Sequence, residues 1–313
     1  MDLITSRSVV GRFYRTLEQN VGASWMNGVS MEFNSDQASE NYAWLGQVPG
    51  MREWIGGRQP KGLTENGITI ANKHYEGTLE VQLRDLRRDK TGQVNVRIDE
   101  FAVRANTHWA SLLSRLIING ESTACYDGQF FFDTDHQEGD SPSQSNDLDI
   151  DISTLPTAVH GSVSAPSVGE FAAALMLAIQ ALTGFKDDRG EPMNEDAQTF
   201  LVMVPTSLYA VALAAVSLPM VDNGNANIVP GIPNFKIQVA QNARLTWADK
   251  FAVYRTDGRV KPFIRQQETP VSLKVKGEGS EFEFDYDAWQ FGLDTWRNVG
   301  YGYWQHAVLV TMT

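Results

Sequence analysis

VRIDEFAVRANTHWASLLSRLIIN, residues 96–119, has the most regular hydrophobic pattern of the chain. Its apolar residues recur at steps of three and four, which places them on one face of an α-helix. They are Ile98, Phe101, Ala102, Ala105, Trp109, Leu112, Leu113 and Leu116. At 1.5 Å per residue this helix would be roughly 35 Å long, enough to span a domain. Gly120 follows it, as glycine often does at a helix end, so we predict one long helix as the central element.

The segments after this helix mix helices with strands. Residues 167–183 predict a second helix, because Ser167 is a suitable N-cap and Glu170 stands at capping-box spacing. QTFLVMVP (198–205) predicts a buried strand, and TSLYAVALAAVS (206–217) predicts a helix that Thr206 opens after Pro205. Short strands are predicted at 235–242, 250–258 and 271–277, and mostly extended structure at 282–313. Because no regular βαβ repeat is present, the mixture indicates the α+β class.

The segments before the long helix indicate a surface that another chain covers. Residues 1–20 predict a short amphipathic helix with Val9, Val10, Phe13 and Leu17 on one stripe. The following sixty residues are rich in glycine and turn residues, yet they carry large apolar side chains such as Trp44 and Trp54. Within them, ITIANKHYEGTLEVQL (68–83) predicts a hairpin-like pair of strands. Exposed apolar patches of this kind usually mark interfaces.

The net charge of −12 argues against a protein that grips nucleic acid through a broad basic face. The charge is also unevenly distributed. Residues 121–196 hold fifteen Asp or Glu against only Lys186 and Arg189, whereas residues 52–90 hold eight Lys or Arg against six acids. Regions of opposite sign on one chain either arise by chance or let copies of the chain attract one another.

Cysteine content and hydrophobic runs bear on the compartment. Cys125 is the single cysteine, which excludes an internal disulfide and suits a reducing cytosol. The longest apolar runs, 171–182 and 208–216, are shorter than the roughly 20 residues that cross a bilayer. The first twenty residues contain no secretion signal, so we expect neither secretion nor a membrane partner.

YDGQFFFDTDH (126–136) gathers three aspartates and a histidine, which raises the question of a metal or acid–base site. Asp127, Asp133, Asp135 and His136 could ligate a divalent metal, and the last three could serve a metal-dependent hydrolase. On a strand, Asp133 and Asp135 would point the same way. Their spacing matches neither a calcium-binding EF-hand loop nor a zinc hydrolase helix, whereas aspartate beside Gly128 is ordinary turn chemistry. No nucleophile elbow or phosphate loop is present either. We therefore predict a packing element with Cys125 as a structural thiol, and no catalytic, cofactor or metal residues.

Four blocks resemble the major head subunit of Mu-like tailed phages. They are YAWLGQVPGMREWIGGR (42–58), ITIANKHYEGTLEV (68–81), CYDGQFFFDTDH (125–136) and WRNVGYGYWQHA (296–307), in that order. The resemblance implies the Hong Kong 97-type capsid fold. In that fold, residues 1–37 would be the N-terminal arm and 38–85 the E-loop hairpin. Residues 86–166 would form the peripheral domain, with the spine helix 96–119 and a polar loop 137–166. Residues 167–280 would form the axial domain, and 281–313 would be C-terminal strands that return to the peripheral domain.

The function implied by the resemblance is that of a major capsid protein without catalysis. Such a chain assembles as pentamers and hexamers, in the host cytoplasm, into an icosahedral virion capsid that encloses double-stranded DNA without binding it specifically. The implied partners are further copies of the chain, a separate scaffold protein, a portal and decoration proteins. The predicted inter-subunit contacts lie in the E-loop: Trp44, Arg52, Trp54, Arg58, Lys61 and Lys73. The alternatives are an encapsulin-like or gene-transfer-particle shell protein, and the hydrolase considered above.

Overall fold

The computed structural model describes residues 5–20, 22–42, 67–89 and 92–313. Its helices are α1 (Ser6–Gln19), α2 (Met26–Val29), α3 (Leu83–Arg88), α4 (Gln93–Ile118), α5 (Val168–Gly184), α6 (Tyr209–Ser217) and α7 (Glu281–Tyr286). Its strands are β1 (Ser30–Asn34), β2 (Ser39–Tyr42), β3 (Ile68–Ala71), β4 (Lys73–Gln82), β5 (Asp147–Ile150), β6 (Thr199–Val204), β7 (Met220–Val221), β8 (Asn225–Ala226), β9 (Lys236–Gln241), β10 (Lys250–Arg255), β11 (Phe263–Lys276), β12 (Ala288–Tyr301) and β13 (Ala307–Met312). The predicted α+β class is confirmed.

The predicted long helix is confirmed as α4, which begins three residues earlier than expected. The Asp89 carboxylate accepts hydrogen bonds from the backbone N–H groups of Gln93 (3.0 Å) and Val94 (2.8 Å), and these satisfy two donors of the first turn. At the other end, α4 gives way to a 3₁₀ turn at Asn119–Glu121. A Cβ atom on Gly120 would lie 2.5 Å from the Phe132 ring, so glycine permits this close approach.

The N-terminal half of α4 packs with α1 against a four-stranded sheet of order β1-β11-β12-β4. The predicted amphipathic helix is confirmed, because Val9 and Phe13 of α1 are buried in this core. A surface contact joins the two helices, since Arg12 Nε donates to Asp99 Oδ1 at 2.8 Å and Thr16 Oγ1 donates to the same oxygen at 2.8 Å. The core residues shared by these elements are Val9, Phe13, Val81, Ile98, Ala102, Trp289 and Phe291.

The C-terminal half of α4 belongs to a second, larger core built on a five-stranded sheet of order β5-β13-β10-β6-β9. Helices α5 and α6 pack on this sheet through α5 contacts with β13 and β10 and α6 contacts with β9. The predicted helix with a Ser167 N-cap is confirmed, and Ser167 and Glu170 form a reciprocal capping box. The predicted buried strand is also confirmed, because residues 200–204 of β6 are all buried.

The hairpin expected at 68–83 is wrong in its pairing. The strands β3 and β4 form, but β3 pairs with β2, and β4 pairs with β12 over ten residues. The run at 271–277 is part of the 14-residue strand β11, and the final segment opens with α7. The polar stretch 137–166 is not all loop, because β5 pairs with β13 and buries Ile150. None of the helices in the described ranges is long and apolar enough to cross a lipid bilayer.

We predict that Gly302→Ala destabilises the subunit by about 1–3 kcal/mol, because the new Cβ would overlap backbone atoms. Its ideal position lies 2.5 Å from Lys261 O and 3.2 Å from Pro262 O. Urea denaturation of unassembled subunits measures the change. Gly231→Ala is the matched control, since a Cβ there meets no atom within 4 Å. Equal losses in the two variants would contradict the close-approach explanation.

Candidate functional site

The predicted contact residues fall mostly outside the part of the chain that the structure describes. Trp44, Arg52, Trp54, Arg58 and Lys61 all lie in the undescribed segment 43–66. The remaining one, Lys73, is exposed at the start of β4, where it stands opposite Arg297 of β12 in the sheet register. These six residues therefore stay predictions. The described part of the chain contains three further regions with buried polar groups or exposed apolar side chains.

The first region is a buried polar cluster that follows α4. The chain turns at Gly128, whose φ of 91° lies in the left-handed region that glycine tolerates best. Asp127 Oδ1 accepts the backbone N–H of Gln129 at 3.1 Å, the turn chemistry expected of aspartate beside glycine. The turn directs Cys125 and Asp127 towards the buried His136.

The His136 ring uses both of its nitrogens inside this cluster. Nδ1 lies 2.7 Å from Asp127 Oδ2, and Nε2 lies 3.2 Å from Asn146 Oδ1. The ring also stacks on Trp304, with the centroids 4.0 Å apart. Asn146 Nδ2 donates to Phe131 O at 2.8 Å, so the cluster ties the loop after α4 to the strand β5 and to the chain before β13. These contacts make the cluster a structural clamp.

The hydrolase hypothesis is not supported by this geometry. Asp133 points both carboxylate oxygens at backbone N–H groups, those of Phe130 (3.1 Å) and Thr134 (2.8 Å). Asp135 is exposed, and His136 turns away from both aspartates towards Asp127. The expectation that the two aspartates share one face of a strand is wrong, because residues 131–135 are irregular.

The ligand atoms that do converge belong to Cys125, Asp127 and His136, and they lie within 4.8 Å of one another. Cys125 Sγ donates to Asp127 Oδ1 at 2.9 Å. Burial, and then the nearby Asp127 carboxylate, raise the pKa of the Cys125 thiol far above its ordinary value. Burial pushes the pKa of Asp127 upward, but hydrogen bonds from His136 and Cys125 outweigh it and hold that pKa below its usual range. A neutral thiol that donates to a carboxylate fits a structural role better than a metal ligand.

We predict that Asp127→Ala destabilises the unassembled subunit by about 3 kcal/mol, because it leaves buried donors on Cys125 and His136 without an acceptor. Asp135→Ala removes the same group from an exposed position of the same loop and serves as the control. We expect its effect to stay within about 0.5 kcal/mol. Chemical denaturation of both variants measures the difference, and a reversed order would refute the clamp.

The first region extends to a buried polar group around His306, in the 3₁₀ turn Trp304–His306 that precedes β13. Burial, and then the positive charge of Arg255, lower the pKa of His306 to about 4. Arg255 is held by Asp257 (2.7 Å) and Asp196 (2.6 Å), so this part of the fold contains a neutral imidazole beside a paired guanidinium.

The buried His306 makes the free energy of unfolding of the subunit depend on pH, and its lowered pKa sets the sign of that dependence. Between pH about 6.5 and about 4 the unfolded chain binds a proton at residue 306 that the folded chain does not. The free energy of unfolding therefore falls as the pH falls through that window, by up to about 3 kcal/mol. Asp147 acts in the opposite sense, because burial and then Glu121 raise its pKa to about 6.

Comparison of the wild type with His306→Gln isolates the histidine from Asp147. We predict that the free energy of unfolding of the variant lacks the fall that His306 causes between pH 7 and 4.5. Urea titrations of both proteins at pH 7, 5.5 and 4.5 measure it. Parallel curves for the two proteins would contradict the prediction.

The second region holds buried arginines that the sequence analysis missed. The guanidinium carbons of Arg297 and Arg265 lie 4.7 Å and 5.6 Å from the centroid of the Trp109 ring. Arg265 is held by Glu32 at 3.1 Å and Asn27 at 2.9 Å. The sequence contained a signal for the inward position of Arg297. Alternate residues of this strand face the core, and Arg297 follows Trp289, Phe291, Leu293 and Thr295 in that alternation.

The third region is apolar surface. A cleft of about 700 Å³ lies between α5 and the segment around β7 and β8, with apolar walls that include Met176, Ile179 and Phe235. Large hydrophobic side chains are exposed on α5, on α6 and in the segment that follows α6: Leu177, Leu213, Leu218, Met220 and Ile228. On α7, Phe284 is 91% exposed. Exposed apolar side chains that form a contiguous patch are typical of interaction sites.

Sequence comparison places the chain among phage head proteins. The family model of the Mu-like prophage major head subunit gpT matches residues 5–154 and 234–313. The Mu-like prophage FluMu major head subunit of Haemophilus influenzae is 39% identical over 116 residues, 37% of this chain and 38% of the relative. The major capsid protein of Escherichia phage Mu is 35% identical over 113 residues, 36% of this chain and 37% of the relative. The matched segments thus span less than two fifths of either relative.

Structural comparison gives the fold. The procapsid of bacteriophage JBD30 matches with a TM-score of 0.56 at 23% identity, over 99% of this chain and 77% of that one. The JBD30 capsid matches with a TM-score of 0.54 at 25% identity, over 71% of this chain and 91% of that one. A virus-like particle from Pyrococcus furiosus matches with 0.54 at 12% identity, over 97% and 98%. The predicted Hong Kong 97-type capsid fold is confirmed.

Proposed function

The chain belongs to the Mu-like prophage major head subunit gpT family, and we propose that it is a major capsid protein that assembles as pentamers and hexamers into an icosahedral head. The observation that carries the proposal is the family match, which includes α1, all of α4 and both long strands β11 and β12. It therefore covers elements of both hydrophobic cores. The family consists of structural head subunits, so the function is not enzymatic.

The exposed surfaces support assembly on physical grounds. A single chain leaves the hydrophobic side chains of α5, α6 and α7 in water, and copies of the chain that cover them would gain roughly 25 cal/mol for each Å² removed from water. Each interface can be modest, because a closed shell holds every subunit through several contacts at once. Projecting segments suit this task better than one flat patch.

We assign the parts of the chain by analogy with the capsid fold. Residues 1–37 serve as the arm, 38–85 as the E-loop, 86–166 as the peripheral domain, 167–280 as the axial domain and 281–313 as the returning strands. In this assignment the six predicted contact residues, from Trp44 to Lys73, lie over neighbouring subunits, and α4 is the spine helix.

Partners and location follow from the same proposal. The shell would assemble in the host cytoplasm with a scaffold protein and a portal, and would enclose double-stranded DNA. Decoration proteins are a further partner, since a solved JBD30 capsid of the same fold, 26% identical at a TM-score of 0.52, is decorated with minor capsid protein trimers. A net charge of −12 suits a wall that encloses DNA without holding it tightly.

Another use of the fold remains an alternative, because the virus-like particle from Pyrococcus furiosus shares it. At 12% identity that likeness concerns the fold alone, whereas the family match favours a phage head. Purification of the particle with its contents distinguishes the two, because a phage head holds double-stranded DNA and a cargo shell holds protein.

We predict that Trp44→Ala and Trp54→Ala reduce the yield of sedimenting particles more than they reduce subunit stability, because a neighbouring copy covers these side chains. Trp25→Ala is the matched control. Trp25 is 7% exposed in the larger core, so its loss should lower the free energy of unfolding by about 3–5 kcal/mol. Normal particle yield from both E-loop variants would refute the assignment of residues 38–85.

A further inference from the structure

A small pocket lies where α4 crosses the sheet strands β4, β11 and β12. It has a volume of about 270 Å³, and Phe101, Val271 and Leu293 give it apolar walls. The nitrogen-bearing side chains Arg104, His108 and Arg297 line the same pocket. Glu76 is the one acidic side chain among the described lining residues, and it is exposed.

Arg297 is the most unusual of these residues. It is 3% exposed, and its Nη2 donates to Ala105 O at 3.1 Å. Its Nε has no hydrogen-bond partner, and no carboxylate of the described residues forms an ion pair with it. Burial lowers its pKa to about 10. The Trp109 ring, 4.7 Å from the guanidinium carbon, and the more distant Glu32 carboxylate offset part of the cost of burying this charge, and a bound anion would offset more of it.

The surroundings of Arg297 add to the positive potential. Burial, followed by the charges of Arg297, Arg115 and Arg244, lowers the pKa of His108 to about 4. The His108 Nδ1 atom is buried and has no hydrogen-bond partner, while its ring meets the Tyr75 ring edge at 4.4 Å. Arg297 and His108, each with one buried nitrogen that has no hydrogen-bond partner, therefore line the same pocket as the exposed Arg104.

We propose that this pocket is a carboxylate-binding site, and that in the assembled shell an acidic side chain of a second copy of this chain fills it. The inference rests on the proposed function and specifies one of its contacts. A guanidinium binds a carboxylate through charge-assisted hydrogen bonds, which are about twice as strong as neutral ones. The apolar walls can contact the methylene groups of an Asp or Glu side chain. Inorganic phosphate has no such groups, so the pocket favours a carboxylate side chain over free phosphate.

Charge complementarity identifies the second copy as the source. Residues 121–196 carry fifteen acids against two basic residues. Several of these acids are exposed in a single chain and available to a neighbour: Asp135, Asp140, Asp149, Asp151, Glu191 and Glu195. Opposite-signed surfaces on one kind of subunit steer copies together and fix their register.

The test is carbodiimide cross-linking of Arg104→Lys, which places a reactive amine at the pocket while keeping the charge. Shells are assembled from equal amounts of ¹⁵N-labelled and unlabelled chains, treated with carbodiimide and digested for mass spectrometry. We expect a peptide that joins the introduced lysine to an acid of residues 121–196 on a differently labelled chain. Arg97→Lys, on an exposed position of the same helix outside the pocket, is the control, and its yield should be at least about fivefold lower.

Other outcomes overturn the inference. Cross-links confined to one copy, for example to Glu76, would show that the carboxylate is internal. Protection by inorganic phosphate without a peptide between copies would show that the ligand is a free anion. Arg104→Lys shells that give no cross-link above the Arg97→Lys control would reject this contact alone. Wild-type protein that forms no shells would reject the proposed function together with it.

A second measurement does not depend on cross-linking chemistry. Arg104→Gln should raise the subunit concentration needed for shell formation by about tenfold, because it weakens a charged contact at the interface. Arg97→Gln makes the same charge change outside the pocket and should leave that concentration unchanged. Circular dichroism of unassembled subunits checks that both variants fold. Equal shifts in the two variants would contradict a specific site.

Discussion

The fold depends on one helix that serves two hydrophobic cores. Along its 26 residues, α4 gives Ile98 and Ala102 to the core beneath the four-stranded sheet, and Leu113 and Ile117 to the core of the five-stranded sheet. At 1.5 Å per residue the helix is about 39 Å long, so one rigid element fixes the distance between the two sheets. Each large aliphatic side chain buried along it contributes roughly 1.5–3 kcal/mol. Trp109 lies near the change from one core to the other, and this is where Arg265 and Arg297 stack.

Buried polar contacts, together with the apolar cores, stabilise one conformation of the chain. The chain leaves α4 through a loop that could adopt many conformations, and the cluster of Cys125, Asp127, His136 and Asn146 selects one of them. The same cluster holds the segment before β13 through Trp304. The acids and histidine that suggest catalysis in the sequence therefore act in folding, and the surfaces left for function are the exposed ones.

The sequence predicted elements whose signals are local. The apolar spacing of residues 96–119 predicted α4, and the Ser167 and Glu170 spacing predicted the capped start of α5. The pairing of β4 could not be predicted in this way, because its partner β12 lies about two hundred residues further along the chain. The alternation of side chains along β4 also fits more than one partner strand, so it does not identify β12. The Asp127–His136 contact was also missed, since it depends on the turn at Gly128. Arg297 could have been found from its inward position in an alternating strand, but its missing counter-ion is visible only in three dimensions.

Contacts with further copies of the chain explain three features at once. Such copies would cover the exposed apolar surfaces, and would bring the acidic segment 121–196 of one copy to Arg297 of another. Electron microscopy of the purified protein tests this account most directly. The account predicts closed icosahedral shells, or the pentamers and hexamers from which they form. A uniform population of 34.8 kDa monomers under all assembly conditions would contradict it.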